Sequence, residues 1–187
     1  MMRLILQTEG VEFINGIDPL EISDLYKLFF GRKFGKDWKP VQVRIVKENM
    51  ERPLKEVDAF VFYGTFDTCF RLSSQHDKVS SILKSSGELL PLEAVNGSEV
   101  FLFKAVEVDC LDRQLSVFRV GFMGGFASIS YCVLDSKRVP NLDVFRQKGS
   151  DVLFCTQEFA AACVAAGLRG LGFEATKMSK GGSTDEI

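Results

Sequence analysis

Residues 151–175, DVLFCTQEFAAACVAAGLRGLGFEA, constrain the fold more than any other stretch of this chain. Val152, Leu153 and Phe154 form a short apolar run of β-formers, which predicts a buried strand. Thr156 is placed to cap the helix that follows, with Glu158 in its first turn. Phe159, Ala162, Cys163 and Ala166 then recur at helical spacing and define one inward face. Gly167 stands where the helix must end, because glycine enters the left-handed region without a Cβ clash. Leu168 can fold back onto the last turn, Gly170 allows a second bend, and Leu171 to Phe173 return as a strand. The result is a strand-helix-strand unit with few polar positions inside and no evident chemistry.

The rest of the chain reads mainly as short strands. Arg3–Gln7, Val41–Val46, Ala59–Tyr63, Phe70–Leu72, Glu99–Val108 and Ser128–Leu134 carry β patterns, and Glu99–Val108 is the longest of them. Phe101, Phe103 and Ala105 would share one face, with Val100, Leu102, Lys104 and Val106 on the other. Asn96-Gly97 is a hairpin signal. Two further helical patterns cover 19–30, capped by Asp18, and 74–86, with Val79, Ile82 and Leu83 inward and Gly87 at its end. Residues 47–58 are highly charged and predict surface. Leu142–Phe145 is a short element before the closing unit. The fold class expected is α+β, with a mostly antiparallel or mixed sheet, a few helices and the C-terminal strand-helix-strand unit. Residues 1–176 are read as one domain, with a subdivision near 95 left open, and 177–187 as a mobile polar tail.

Charge and cysteine content exclude several function classes. The net charge is −2, and residues 1–95 hold 13 basic and 14 acidic side chains against 10 and 11 in 96–187. Neither part carries the basic surplus of a nucleic-acid or anionic-membrane binder. The longest uncharged stretch, 120–134, falls short of the roughly 20 apolar residues of a membrane span. Five cysteines without a C-x-x-C pair point to reduced thiols and a cytoplasmic setting. Seventeen Phe against one Trp point to packing or apolar contact surfaces.

Candidate chemistry is sparse. His76, the sole histidine, and Cys69 allow a Cys–His dyad on paper, but His76 lies in the run SSQHDK and reads better as an exposed first-turn residue. One histidine and dispersed cysteines make no zinc set, and Asp109 and Asp112 read as turn residues rather than cation ligands, so no metal or cofactor is expected. Gly121, Gly124 and Gly125 lack the lysine and helix of a phosphate cradle and read as a flexible loop. Lys27, Arg32, Lys33, Lys36 and Lys39 interleave with Phe30, Phe34 and Trp38, a pattern that suits single-stranded nucleic acid. A solvated loop anchored to the core by its aromatics is the better account.

From Leu89 onward the sequence resembles immunity protein family eleven of bacterial polymorphic toxin systems. LLPLEAVNGSEVFLFKAVEVDCLD resembles the family's strand and turn, followed here by Ser116. VFR at 144–146 resembles its short element ending in Phe-Arg. LFCTQEFAAACVAAGLRGLGFE resembles its last strand, helix, G-L-x-G turn and strand. The Phe- and Gly-rich segment 117–126 has no counterpart in that pattern. The resemblance implies a small bacterial cytoplasmic protein, not an enzyme, that binds a cognate toxin and neutralises it by surface complementarity. Self-association stays open, and a membrane or nucleic-acid partner is not expected. The competing class is a small enzyme or nucleic-acid-binding module built on Cys69/His76 or on the loop 27–39. Within the immunity reading, Phe122, Met123 and Phe126 are the expected contact residues, since large apolar side chains among three glycines either fill the core or wait for a partner.

Overall fold

The computed structural model describes residues 1–9, 11–16, 38–49, 52–62, 67–121 and 126–180. In chain order the strands are β1 (Met2–Leu6), β2 (Phe13–Gly16), β3 (Gln42–Val46), β4 (Glu48–Asn49), β5 (Arg52–Pro53), β6 (Ala59–Val61), β7 (Thr68–Arg71), β8 (Gly87–Ala94), β9 (Glu99–Ala105), β10 (Glu107–Val108), β11 (Val117–Val120), β12 (Phe126–Tyr131), β13 (Val133–Asp135), β14 (Val144–Gln147), β15 (Leu153–Cys155), β16 (Leu171–Ala175) and β17 (Lys177–Ser179). Two α-helices, α1 (Asp77–Ser86) and α2 (Gln157–Ala165), complete the described elements. The expected α+β class with mixed sheets holds. The predicted helix at 19–30 lies outside the described residues.

Six strands pair in the order β2-β3-β8-β9-β7-β6. A bridge between Ile14 and Phe62 joins the first strand to the end of the last, so this sheet closes into a barrel. Its interior is filled by Ile14, Val43, Ile45, Phe60, Phe62, Cys69, Leu90, Leu92, Val100 and Leu102. The bridge pairs one residue at each end of the strand order. The β8–β9 hairpin turns through Asn96-Gly97 as expected, and β8, not β9, is the longer strand. Side chains of β9 alternate as predicted, but both faces are covered. Val100 and Leu102 point into the barrel, whereas Phe103 and Ala105 point outward into a second core.

That second core lies between the barrel and a five-stranded sheet of order β10-β14-β15-β1-β16. The closing unit is built around β1, which runs antiparallel between β15 and β16. Helix α2 crosses over them, with Phe159, Ala162 and Cys163 buried and Ala166 packed alongside. Thr156 Oγ1 accepts from the Phe159 amide at 3.2 Å and donates to Asp143 Oδ1 at 2.7 Å. At the other end Leu168 N–H donates to the Cys163 carbonyl and Gly167 N–H to that of Val164, the paired bonds of a Schellman stop. Helix α1 buries Val79, Ile82 and Leu83 as predicted, after a 3₁₀ turn at Ser74–His76. The glycine that follows α1 is not a left-handed cap. Gly87 is extended and opens β8, and a Cβ there would collide with the Lys104 carbonyl and lie 3.0 Å from the Ala105 Cα.

The far face of the five-stranded sheet carries a third core around Phe145, Phe154, Leu111, Leu134 and Ile129. Two expectations need correction here and in the barrel. Val57 and Asp58 end the charged 47–58 stretch but are buried, because β6 draws them under the 168–170 turn. Lys177–Ser179, expected to begin a mobile tail, forms β17 and pairs in parallel with β13; residues 181–187 lie outside the described residues. Val117–Val120, to which the sequence reading gives no element, is β11, which pairs antiparallel with β12.

Candidate partner-binding surface

The β11–β12 ribbon and the turn before it hold several exposed apolar side chains. The ribbon's root is fixed by that turn. Asp112 Oδ1 accepts from the Gln114 and Leu115 amides, both at 3.1 Å, and Ser116 Oγ accepts from the Val133 amide at 3.0 Å. Asp112 therefore turns the chain, as its sequence context predicted, and its pKa is lowered by a hydrogen bond from Ser179 and by these amides. The ribbon's inner face holds Phe118 opposite Ile129, both packed on the third core. Its register slips between Val117 and Phe118 and again between Arg119 and Val120, which twists the pair and shields its edges from regular strand addition.

The solvent side of the ribbon carries apolar side chains among its polar ones, Arg119, Ser128 and Ser130. Val117 and Val120 are 59% and 63% exposed, and Leu115 lies beside them in the preceding turn at 55%. Tyr131 faces Val117 across the ribbon, and Lys177 Nζ stands 5.4 Å from the Tyr131 ring centroid, which brings β17 and exposed Met178 to the same region. A hydrogen bond with Tyr131 raises the Lys177 pKa, so this cation stays charged. Of the three residues predicted to make contact, Phe122 and Met123 lie outside the described residues, in the segment joining β11 to β12. Phe126 is the first residue of β12. Sequence reasoning missed Leu115, Val117, Val120, Tyr131 and Met178. The available signal was Val117 and Arg119 at alternating positions around Phe118, which only a paired strand makes legible.

Among the described residues, Cys69 and His76 are not brought together as a dyad. Cys69 points into the closed barrel with no exposed surface, and burial pushes its thiol pKa well above the usual value. His76 Nδ1 accepts the Ser73 amide at 3.0 Å, a helix-start contact on the barrel's outside. The other thiols are also raised by burial, to about 12 for Cys110, Cys155 and Cys163 and about 11 for Cys132, the opposite of an activated nucleophile. No group of metal-ligating side chains occurs among the described residues, and Asp109 pairs instead with Arg113 at 3.2 Å. Of the basic-aromatic loop 27–39, only Trp38 and Lys39 are described. Trp38 packs against the barrel core and donates to the Pro91 carbonyl at 2.8 Å, the anchoring role expected of it. A cavity of about 200 Å³ beside Arg3, Thr8, Thr68 and Asp151 is smaller than the roughly 300–1,000 Å³ usual for small-molecule sites.

A charged cluster ties the barrel to the closing unit. Arg169 grips Asp58 through Nε at 2.8 Å and Nη2 at 3.0 Å and reaches Glu56 at 2.8 Å. Arg71 joins Glu12 at 2.9 Å and Glu56 at 2.7 Å while lying 5.1 Å from the Phe60 ring centroid. A second pair, Arg146 with Asp67, is buried between the five-stranded sheet and the barrel. Arg169 and Asp58 are 111 positions apart, so nothing local in the sequence announced them.

The arrangement defines a scaffold class: a barrel and a layered sheet that hold a ribbon with exposed apolar side chains to solvent, with no catalytic constellation among the described residues. Residues 93–178 match the model of the immunity protein family (Imm11), so the resemblance read from the sequence holds over this segment. No curated protein matches the chain. The matched segment contains the ribbon, α2 and most of the five-stranded sheet. No helix among the described residues is long and apolar enough to cross a membrane.

Proposed function

We propose that this protein is a cytoplasmic immunity protein that binds a cognate bacterial toxin and blocks it by surface complementarity, without catalysis of its own. The observation that carries this reading is the set of exposed apolar side chains on the β11–β12 ribbon, which lies within the Imm11-matched segment. Exposed aliphatic and aromatic side chains on a rigid base suit a protein interface, where a few such residues dominate the binding energy. Phe122, Met123 and Phe126 are part of the contact surface in this reading. The buried Cys69 thiol and the helix-start role of His76 give the Cys69/His76 alternative no support among the described residues.

The test pairs the protein with the toxin encoded by the neighbouring gene. The two should co-purify, and cells expressing this protein should survive the toxin. A Phe122→Ser/Phe126→Ser variant should melt like the parent and lose binding. Full binding with normal melting would remove these residues from the interface, and loss of the fold would assign the rings to the core.

A further inference from the structure

The ribbon face carries a charge pattern that goes beyond its apolar character. Its carboxylates are already engaged: Asp109 with Arg113 and Gln147, Asp112 with its own turn amides, and Asp135 with Arg138 at 3.2 Å. Among the exposed cations that remain, three matter here, on β11, on β17 and in the turn after β13. Arg119 is an exposed residue of β11. Lys177 sits over Tyr131. Lys137 lies in the turn that follows β13, where Ser136 N–H donates to the Ser179 carbonyl and so places it beside β17. None of the three forms an ion pair with a described residue. The chain as a whole is slightly acidic, at −2, so this positive character is local.

Building on the toxin-binding reading above, we infer that the ribbon face docks an acidic patch of the partner protein, with carboxylates around an apolar centre. Leu115, Val117 and Val120 supply the apolar centre, and Arg119, Lys137 and Lys177 supply the charged rim. Rim charges of this kind steer encounter and select the partner more than they add affinity. A protein fits better than a nucleic acid. Aliphatic side chains give bases nothing to stack on, the Tyr131 ring is already covered by Lys177, and three cations neutralise few phosphates.

The experiment measures association with the neighbouring-gene toxin, inactivated at its active site, by stopped flow. Four proteins are compared: the parent, Arg119→Glu/Lys177→Glu, the milder Arg119→Gln/Lys177→Gln, and Lys47→Glu/Lys84→Glu, whose exposed cations lie on other elements. At low salt the ribbon charge reversal should lower the association rate constant about tenfold or more, and the neutral pair by an intermediate factor. The difference should shrink as salt is raised toward about 0.5 M, where the Debye length falls to a few ångströms. The remote pair should change the rate much less. Equal losses in the ribbon and remote variants, or parent-like rates in both ribbon variants, would overturn the inference while leaving toxin binding intact. So would a labelled single-stranded oligonucleotide that displaces the toxin from the parent. If the parent does not bind the toxin at all, the toxin-binding reading itself falls, and this inference with it.

Discussion

Gly167 and Gly170 both hold left-handed backbone, at φ +70° and +86°, but they answer to different constraints. A Cβ at Gly167 would meet open space, so only the backbone conformation resists substitution. A Cβ at Gly170 would lie 2.8 Å from Val57 Cβ and 3.1 Å from the Ala59 carbonyl oxygen, because the turn is pressed onto β6. Gly167→Ala should therefore cost about 1–2 kcal/mol, the usual penalty for a left-handed alanine. Gly170→Ala adds overpacking of about 1–3 kcal/mol to the same backbone term. Urea unfolding of the two variants checks this, and equal midpoints would show that Val57 yields without cost. The same scale separates the cysteines from chemistry: Cys69 was legible as a residue type, but the barrel interior that silences it was not.

At the scale of elements, the turn after α2 is fastened to β6 and β7 by the Arg169–Asp58–Glu56–Arg71 cluster. Hydrogen bonding from Arg169 leads in holding Glu56 below its ordinary value of 4.5. Burial pulls Asp58 upward, but the hydrogen bonds from Arg169 outweigh it, so its pKa falls below the ordinary 3.8. The folded carboxylates thus bind protons more weakly than the unfolded ones. Their stabilisation is complete above the ordinary values and is lost as the pH falls through the depressed folded ones. Asp58→Ala should lose about 1.5–3 kcal/mol at pH 7, and it should lose less further stability than the parent between pH 4 and pH 2. Chemical unfolding across that window measures the difference, and parallel curves would mean that the cluster contributes no linkage. The closing unit is legible in the sequence: the Thr156 cap, the inward face of α2 and the Gly167 stop all follow from residues close together in the chain.

For the whole molecule, the family match and the fold do not share boundaries. The match begins at Glu93, inside β8, and omits β1, β2, β3, β6 and β7. Yet β1 is hydrogen-bonded on both sides, to β15 and β16, and β9 takes β7 as its second neighbour in the barrel wall. A fragment of residues 93–178 would expose the second core and leave β15 and β16 without the strand between them. It should show no cooperative thermal transition by circular dichroism, and co-expression with residues 1–92 should restore one. A sharp transition from the fragment alone would mean that the sheet can close without β1.

What the sequence determined by itself is what depends on near neighbours. The inward faces of α1 and α2, the Asn96-Gly97 hairpin, the alternation along β9 and the Asp112 turn all follow from side-chain spacing, capping and positive-φ preferences. Tertiary structure decided the rest. Closure of the barrel rests on Ile14 meeting Phe62, the Arg169 clamp on a partner 111 positions away, and the covered second face of β9 on a sheet assembled from both ends of the chain. Such contacts carry no local signature, because what selects them is the burial of apolar surface weighed against loop-closure entropy over the whole chain.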